Sequence, residues 1–169
     1  MTETIAEGDR LPEAELLRIG PDGPEPVSLR DLTAGRRVVI FAVPGAFTPT
    51  CHSAHMPSFV RTRDAFAERG VDAVLCVAVN DPFVLRAWGE ATGADRAGIE
   101  ILSDASGAYT RAIGLGFDAP GAGFHGRSQR YAMLVEDGVV RVLHVETARG
   151  TCEVSGGEAM LEALAEAQG

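Results

Sequence analysis

The residue with the clearest chemical potential is Cys51, which lies in the stretch Val43–Val60, VPGAFTPTCHSAHMPSFV. Thr48 suits the N-cap of a helix and Pro49 suits its first position, so this pattern predicts Cys51 in the first helical turn. In that turn the backbone N–H groups and the positive end of the helix dipole favour a thiolate over a thiol. An isolated cysteine is more often a small buried packing residue, but this position and its polar neighbours predict a reactive sulfur.

Four kinds of chemistry could use a thiolate there, and the spacing weighs against three of them. A C-x-x-C exchange centre needs a second cysteine where the sequence has Ala54. A cysteine hydrolase needs a positioned histidine and a third orienting group, and His52 is predicted on a different side of the helix from Cys51. A zinc site made of Cys51, His55 and Cys76 lacks regular ligand spacing. Peroxide reduction, the fourth, needs a low-pKa thiolate, donors for two oxygens and a fixed cation, without metal or flavin.

Two apolar strands are predicted to position this sulfur. Arg37–Val43 (RVVIFAV) and Val71–Val79 (VDAVLCVAV) are apolar at nearly every residue, which is typical of parallel strands covered on both faces. Helical stretches follow them, over Thr48–Arg69 and Asp81–Gly93. Cys51 would then lie at the carboxyl edge of the sheet, where the sites of open α/β folds are usually found.

The other predicted elements complete one α/β domain over residues 1–169. Pro57 should kink the first long helix or shift its start. The order β-α-β-α-β-α followed by β-β-α predicts a central mixed β-sheet flanked by helices. The predicted elements are a strand over Ile99–Ser103, a short helix over Ser106–Ile113, strands over Arg130–Val135 and Val139–His144 joined at Asp137–Gly138, loops over Gly20–Pro26 and Phe117–Gly126, and a last helix from about Ser155, with Ser155 and Glu158 as a capping box.

The charge and composition exclude several classes of function. The chain has 169 residues, with 24 acidic and 15 basic residues and a formal charge of −9, which argues against nucleic-acid and anionic-membrane binding. Every basic residue is arginine, so a lysine Schiff base and a phosphate-loop lysine are excluded. Three cysteines are too few for a secreted disulfide scaffold, and the polar N-terminus does not resemble a signal peptide. We expect a soluble cytoplasmic protein with reduced cysteines.

The segment PGAFTPTC, followed by His55 and Pro57, resembles the active-site segment of the peroxiredoxins, in the type II and type V pattern PGAFTP-x-C-x-x-x-H-x-P-x-F. The resemblance extends over most of residues 5–167 and implies a thioredoxin-like fold. The other matching segments are Val79–Trp88, Ser103–Leu115, Arg127–Gly138 and Glu153–Leu164.

The resemblance implies a role for four residues. Cys51 corresponds to the peroxidatic cysteine, Thr48 to the threonine whose hydroxyl contacts peroxide, Pro44 to the proline that shields the thiolate, and Arg130 to the distant active-site arginine. The implied activity is a thiol-dependent peroxidase without a cofactor, acting on hydrogen peroxide and organic hydroperoxides through a sulfenic acid. The alternative is a peroxide sensor that passes oxidation from Cys51 to a partner protein.

The thiol that resolves the sulfenic acid is the least determined part of this interpretation. We favour Cys152, which is predicted in an exposed loop, over Cys76, which is predicted inside a buried strand. A third possibility is direct attack by an external reductant: thioredoxin, glutaredoxin or a small thiol such as glutathione. The resemblance also implies a homodimer formed through one side of the sheet.

Overall fold

A seven-stranded mixed sheet runs through the centre of the protein in the order β2-β1-β5-β4-β3-β8-β9. The structure is a computed structural model, and it describes residues 3–49, 54–146 and 154–168. A separate two-stranded ribbon pairs β6 with β7. The strands are β1 (Glu15–Gly20), β2 (Gly23–Ser28), β3 (Arg37–Val43), β4 (Ala73–Ala78), β5 (Glu100–Ser103), β6 (Gly116–Ala119), β7 (Phe124–Ser128), β8 (Tyr131–Glu136) and β9 (Val139–Val145). The helices are α1 (Leu29–Thr33), α2 (Met56–Glu68), α3 (Pro82–Thr92), α4 (Ala108–Ala112) and α5 (Gly157–Gln168).

Strand β3 is the central strand that leads to the predicted site. It pairs in parallel with β4 and antiparallel with β8, so that Ala42 lies opposite Tyr131. Its residues from 38 to 43 are all fully buried, as expected for a strand covered on both faces. The predicted mixed sheet with flanking helices and the predicted strand over 37–43 are therefore confirmed.

Alternate residues of the central strands contribute to two apolar cores, one on each face of the sheet. The first core joins the sheet to α2, α3 and α5, and the second joins it to α1, α4 and the N-terminal residues. Within the first core the rings of Phe41 and Phe59 stack with their centroids 3.9 Å apart, and Phe66 stacks on Phe59 at 5.9 Å. Cys76 lies in this first core.

Several local predictions are confirmed by the backbone. Helix α3 begins at Pro82, and the carboxylate of Asp81 accepts a 2.9 Å hydrogen bond from the Val84 N–H as its N-cap. The turn between β8 and β9 has Asp137 at φ 48° and Gly138 at φ 78°, the conformation that two-residue hairpin turns favour. Helix α2 begins at Met56 after a wider turn over residues 54–55, with Pro57 in its first turn. Pro49 is also helical and residues 50–53 lie outside the described residues, so the effect of Pro57 on the start of the helix stays a prediction.

Two predicted loops are β-hairpins. The stretch Gly20–Pro26 forms the turn and most of β2, which is an edge strand and therefore tolerates Pro24 and Pro26 without losing central ladder bonds. The stretch Phe117–Gly126 forms most of the β6–β7 ribbon, with a short 3₁₀ turn over Pro120–Ala122. Glycine and proline favour a loop in both stretches, whereas in the structure they occupy an edge strand and a tight turn.

The predicted capping box of the last helix is wrong. Helix α5 begins at Gly157. The Ser155 hydroxyl donates a 2.6 Å hydrogen bond to the carboxylate of Glu146, and Glu158 pairs with Arg61 on α2 at 2.6 Å. A hydrogen bond from a hydroxyl to a charged carboxylate is stronger than one from a helical N–H to a hydroxyl. Ser155 therefore pairs with Glu146 and does not cap the helix.

Within the described ranges, no helix combines the length and apolar character needed to cross a bilayer.

Candidate active site

The carboxyl end of β3 and the start of β8 lie side by side at one edge of the sheet. Because Ala42 pairs with Tyr131, Arg130 is placed next to the point where β3 continues into Pro44. The side chain of Arg130 is only 3% exposed. The antiparallel pairing thus brings a buried cation from far along the sequence to the edge of the sheet where the Cys51 loop begins.

The loop after β3 is a tight turn that carries Pro44 and Thr48. Pro44 and Gly45 are buried, and Thr48 is half-buried. The Thr48 N–H and hydroxyl both donate to the carbonyl oxygen of Gly45, at 3.4 and 2.7 Å. The turn is anchored to the end of the neighbouring strand, since the N–H of Ala46 donates to the Asn80 side-chain oxygen at 3.0 Å. Phe47 adopts a positive φ of 64°, which is uncommon for a bulky residue.

Of the three cysteines, only Cys76 lies among the residues that the structure describes. Cys51 and Cys152 lie outside the described residues, so their predicted positions are not described. Cys76 is fully buried in β4, where it pairs with Phe41 of β3 and Ile101 of β5. Reaction of the Cys76 sulfur would require local opening of the core around it.

Arg130 and His55 make a direct contact. Nη1 of Arg130 donates to Nδ1 of His55 at 3.1 Å, and Nε2 of His55 donates to the carbonyl oxygen of Ser155 at 2.9 Å. A guanidinium can only donate, and a carbonyl can only accept, so these partners assign the hydrogen of the neutral ring to Nε2. Burial and the Arg130 charge lower the pKa of His55 to about 3, against the opposing effects of the Ser155 carbonyl and the Glu146 carboxylate.

Glu146 is a functional candidate that the sequence did not reveal. Its N–H donates to the Arg130 carbonyl at 3.0 Å. One of its carboxylate oxygens accepts hydrogen bonds from the N–H groups of Val154 and Ser155, at 2.9 and 2.7 Å, and from the Ser155 hydroxyl. Glu146 therefore connects the start of β8 to the residues that lead into α5.

A β-bulge places Glu146 opposite Arg130. Val135 pairs with Val140, but Leu134 pairs with Val142, so β9 contributes one extra residue at that point. Without the bulge, Val145 would lie opposite Arg130. An acidic residue directly after the last strand was visible in the sequence, but its register was not.

The β6–β7 ribbon packs against the loop that carries Pro44. Nη1 of Arg127 donates to the Pro44 carbonyl at 3.1 Å, and the Arg127 guanidinium carbon lies 5.5 Å from the centre of the Phe124 ring. Phe117 contacts Phe124 edge to face at 5.9 Å. A Cβ atom on Gly45 would lie 2.7 Å from Nη1 of Arg127, so only glycine fits there without displacing Arg127. The ribbon thus packs against the turn at Pro44 and Gly45, a contact that the prediction of a loop does not indicate.

These features define a site suited to a thiolate. Arg130 carries a charge that it cannot lose, and it lies at the edge of the sheet from which the Cys51 loop departs. A permanent cation in a buried setting lowers the pKa of a nearby thiol. Among the residues that the structure describes, no group of three or more His, Cys, Asp or Glu side chains could hold a metal ion.

Comparison with known proteins agrees with this arrangement. The model of the Redoxin family matches residues 6–161. The chloroplastic Peroxiredoxin-2E-2 of Oryza sativa is 48% identical over 95% of this chain and 73% of its own length, and Peroxiredoxin-2C of the same species is 41% identical over 95% of this chain and 98% of its own. The crystal structure of reduced Prx3 from Vibrio vulnificus in complex with hydrogen peroxide is 46% identical, covers 95% of this chain and 99% of its own, and superposes with a TM-score of 0.88.

The thioredoxin-like fold and the Redoxin match define an α/β thiol-chemistry domain. The chain belongs to the peroxiredoxin family, in its type II and type V group, whose members are thiol peroxidases that act on peroxides.

Proposed function

We propose that Cys51 is the peroxidatic residue of this thiol peroxidase and that Arg130 assists it directly. The observation that carries the proposal is the placement of the buried Arg130 side chain beside the end of β3, where the chain continues through Pro44 and Thr48 towards Cys51. The thiolate attacks one peroxide oxygen, an S–O bond forms and the O–O bond breaks. Hydroxide or alkoxide leaves and takes up a proton, which yields water or an alcohol and a sulfenic acid on Cys51.

Arg130, Thr48 and Pro44 each support this step. The guanidinium of Arg130 stabilises the charge that spreads over both oxygens as the O–O bond breaks. The Thr48 hydroxyl donates its hydrogen to the Gly45 carbonyl, so its oxygen presents lone pairs that can accept the hydrogen of the peroxide. Pro44 is buried and has no N–H, and it therefore forms a dry wall that does not compete for hydrogen bonds.

The sulfenic acid is resolved by Cys152 or by an external thiol. Support for Cys152 comes from its place in the sequence between Glu146 and Val154, which a 2.9 Å hydrogen bond brings together. Cys76 is disfavoured because it is fully buried in the middle of the sheet. The external reductant would be thioredoxin, glutaredoxin or a small thiol such as glutathione.

The homodimer is proposed to form at an apolar surface next to the site. Phe47 is 52% exposed and Phe83 is 61% exposed, and the Ala46–Asn80 hydrogen bond links the loop of the first to the strand end that precedes the second. Exposed apolar side chains mark an interaction site when they form one contiguous patch, which is the arrangement proposed for these two rings. Phe83→Arg should shift the protein to monomer in sedimentation velocity. An unchanged sedimentation coefficient would exclude this surface. A cytoplasmic location is proposed from the low number of cysteines, which suits a protein kept in a reducing compartment.

The test of the proposed function is peroxide consumption with a thiol reductant present. The parent protein and Cys76→Ser, the matched control in the same chemistry, should turn over repeatedly, whereas Cys51→Ser should be inactive. Consumption by Cys51→Ser at the parent rate would contradict the proposal. The sensor alternative predicts a single equivalent of peroxide consumed, with no turnover until a partner protein is added, and no observation favours it.

A further inference from the structure

A chain of buried hydrogen bonds runs from Arg130 to the entrance of α5. Nη1 of Arg130 donates to His55 Nδ1 at 3.1 Å, His55 Nε2 donates to the Ser155 carbonyl at 2.9 Å, and the Ser155 N–H donates to the Glu146 carboxylate at 2.7 Å. The Glu146 N–H returns to the Arg130 carbonyl at 3.0 Å, which closes the circuit. All four residues are buried.

The orientation of His55 is fixed on every side. Its ring contacts Phe41 and Phe59 edge to face, with centroids 5.1 and 5.6 Å apart, so it cannot rotate without disturbing the first core. Its two nitrogens each have a defined partner. A ring held in this way offers Nδ1 as an acceptor at one point in space.

A fixed acceptor determines where a guanidinium points. The N–H groups of arginine lie in one plane as a rigid fork, so fixing the direction of Nη1 also fixes the directions of the others. A neutral imidazole suits this task better than a carboxylate, because it aims the guanidinium without neutralising its charge. The His55 contact therefore leaves the Arg130 charge available to the thiolate and to the developing oxyanion.

We propose that His55 is a positioning residue for peroxide reduction, which aims the Arg130 guanidinium at the reacting oxygens, and that Glu146 supports it by holding Ser155. This inference rests on the proposed function of Cys51 and Arg130. His55 does not exchange protons in the reaction, and Glu146 touches neither the thiolate nor the peroxide. The circuit also ties the arginine to both ends of the segment that contains Cys152.

The decisive experiment is a double-mutant cycle on the peroxide step alone. Reduced protein is mixed with hydrogen peroxide, and the second-order rate of Cys51 oxidation is measured for the parent, His55→Phe, Arg130→Ala and the double variant. Phenylalanine keeps the ring contacts and loses both hydrogen bonds. Because a misplacement of about 1 Å in a catalytic group can reduce a rate by about 100-fold, we expect His55→Phe to slow the step by about 10- to 100-fold.

The cycle separates positioning from a general structural effect. If His55 acts through Arg130, His55→Phe should change the rate by less than about 2-fold once Arg130 is alanine, since the two residues then act as one unit. Equal slowing in both backgrounds would overturn the inference. The rate at which the thiol reductant restores Cys51 gives a second readout, and it should stay at the parent value.

Two further variants complete the design. His55→Gln places an acceptor and a donor in one planar head group and should recover most of the lost rate. Phe66→Leu perturbs the same core one ring further from His55, since Phe66 stacks on Phe59 and Phe59 contacts His55. It should leave the rate of the peroxide step unchanged even where it lowers the melting temperature as much as His55→Phe does. Slowing by Phe66→Leu equal to that of His55→Phe would overturn the inference.

Glu146→Ala provides an independent test should His55→Phe fail to fold. It should slow the peroxide step in the parent background and have no further effect with Arg130→Ala. Equal slowing by Glu146→Ala in both backgrounds would overturn the inference. A parent protein that does not reduce peroxide would refute the proposed function itself. A parent that does so, with Arg130→Ala slow and both His55→Phe and Glu146→Ala at the parent rate, would refute only the positioning role.

Discussion

The buried neutral state of His55 makes the stability of the protein sensitive to mild acid. Its pKa is about 3 in the folded protein, because of burial and the adjacent Arg130 charge, compared with 6.5 for an ordinary histidine. Between these two values the unfolded chain binds a proton at His55 and the folded chain does not. Stability is therefore lost as the pH falls through 6.5 towards 3.

The size of the effect follows from the difference in protonation. Each pH unit between the two pKa values changes the free energy of unfolding by about 1.4 kcal/mol. Between pH 7 and pH 5, only the range of about 1.5 pH units below the unfolded-state pKa contributes. His55 therefore lowers the free energy of unfolding by about 2 kcal/mol over this range. At pH 5 the folded ring is still neutral, and the Arg130 contact persists.

Urea unfolding at pH 7 and pH 5 tests this reasoning when the parent is compared with His55→Gln. Glutamine does not titrate, so the stability of the parent relative to the variant should fall by about 2 kcal/mol between the two pH values. The exposed His125 provides the control, since His125→Gln removes an imidazole from the surface. An equal pH dependence in the parent and His55→Gln would refute a buried neutral histidine at this site.

Four further outcomes are expected. Arg130→Ala should slow Cys51 oxidation by about 100- to 1,000-fold; unchanged stopped-flow kinetics would remove the arginine from the site. Non-reducing peptide maps of the parent should show a Cys51–Cys152 disulfide, and Cys152→Ser should abolish it. A parent bridge between Cys51 and another cysteine would contradict our preference for Cys152. Gly157→Ala should lower the free energy of unfolding by about 1–3 kcal/mol in urea, because its Cβ would lie 2.6 Å from a main-chain oxygen of α2; unchanged stability would mean that α5 shifts freely. Asp81→Ala should lower it by about 1 kcal/mol through loss of the α3 cap, and no change would show that the cap is dispensable.

The central strands could be predicted because their signal is local and strong. Arg37–Val43 is apolar at nearly every residue, and the structure has β3 over the same residues. The Asp81–Pro82 start of α3 and the Asp137–Gly138 turn could be predicted for the same reason, since each rests on the conformational preference of adjacent residues. The fold class followed from the order of these elements.

The features around Arg130 could not be predicted, because they depend on contacts between distant segments. The bulge in β9 that sets Glu146 opposite Arg130 has no local marker in the sequence. Local preference favours the Ser155 hydroxyl as a helix cap, whereas its hydrogen bond to the charged Glu146 decides its direction. The two hydrogen-bond partners of His55 lie 75 and 100 positions away in the sequence, so no local pattern indicates them.

The Phe117–Gly126 stretch shows a second reason why a sequence pattern does not predict a structure. Its glycines and its proline satisfy the criteria for a loop, and only pairing with the residues up to Ser128 makes it a hairpin. Arg127 then reaches the Pro44 carbonyl from this ribbon. The sequence pattern does not indicate this contact between Arg127 and Pro44.

The most direct measurement of the central claim is the oxidation state of each cysteine after one equivalent of hydrogen peroxide. The reduced protein is treated in the presence of a reagent that traps sulfenic acids, and its peptides are mapped by mass spectrometry. We expect the label on Cys51 in a variant that lacks the other two cysteines, and a Cys51 disulfide in the parent. Consumption of the peroxide with Cys51 still a thiol would contradict the account.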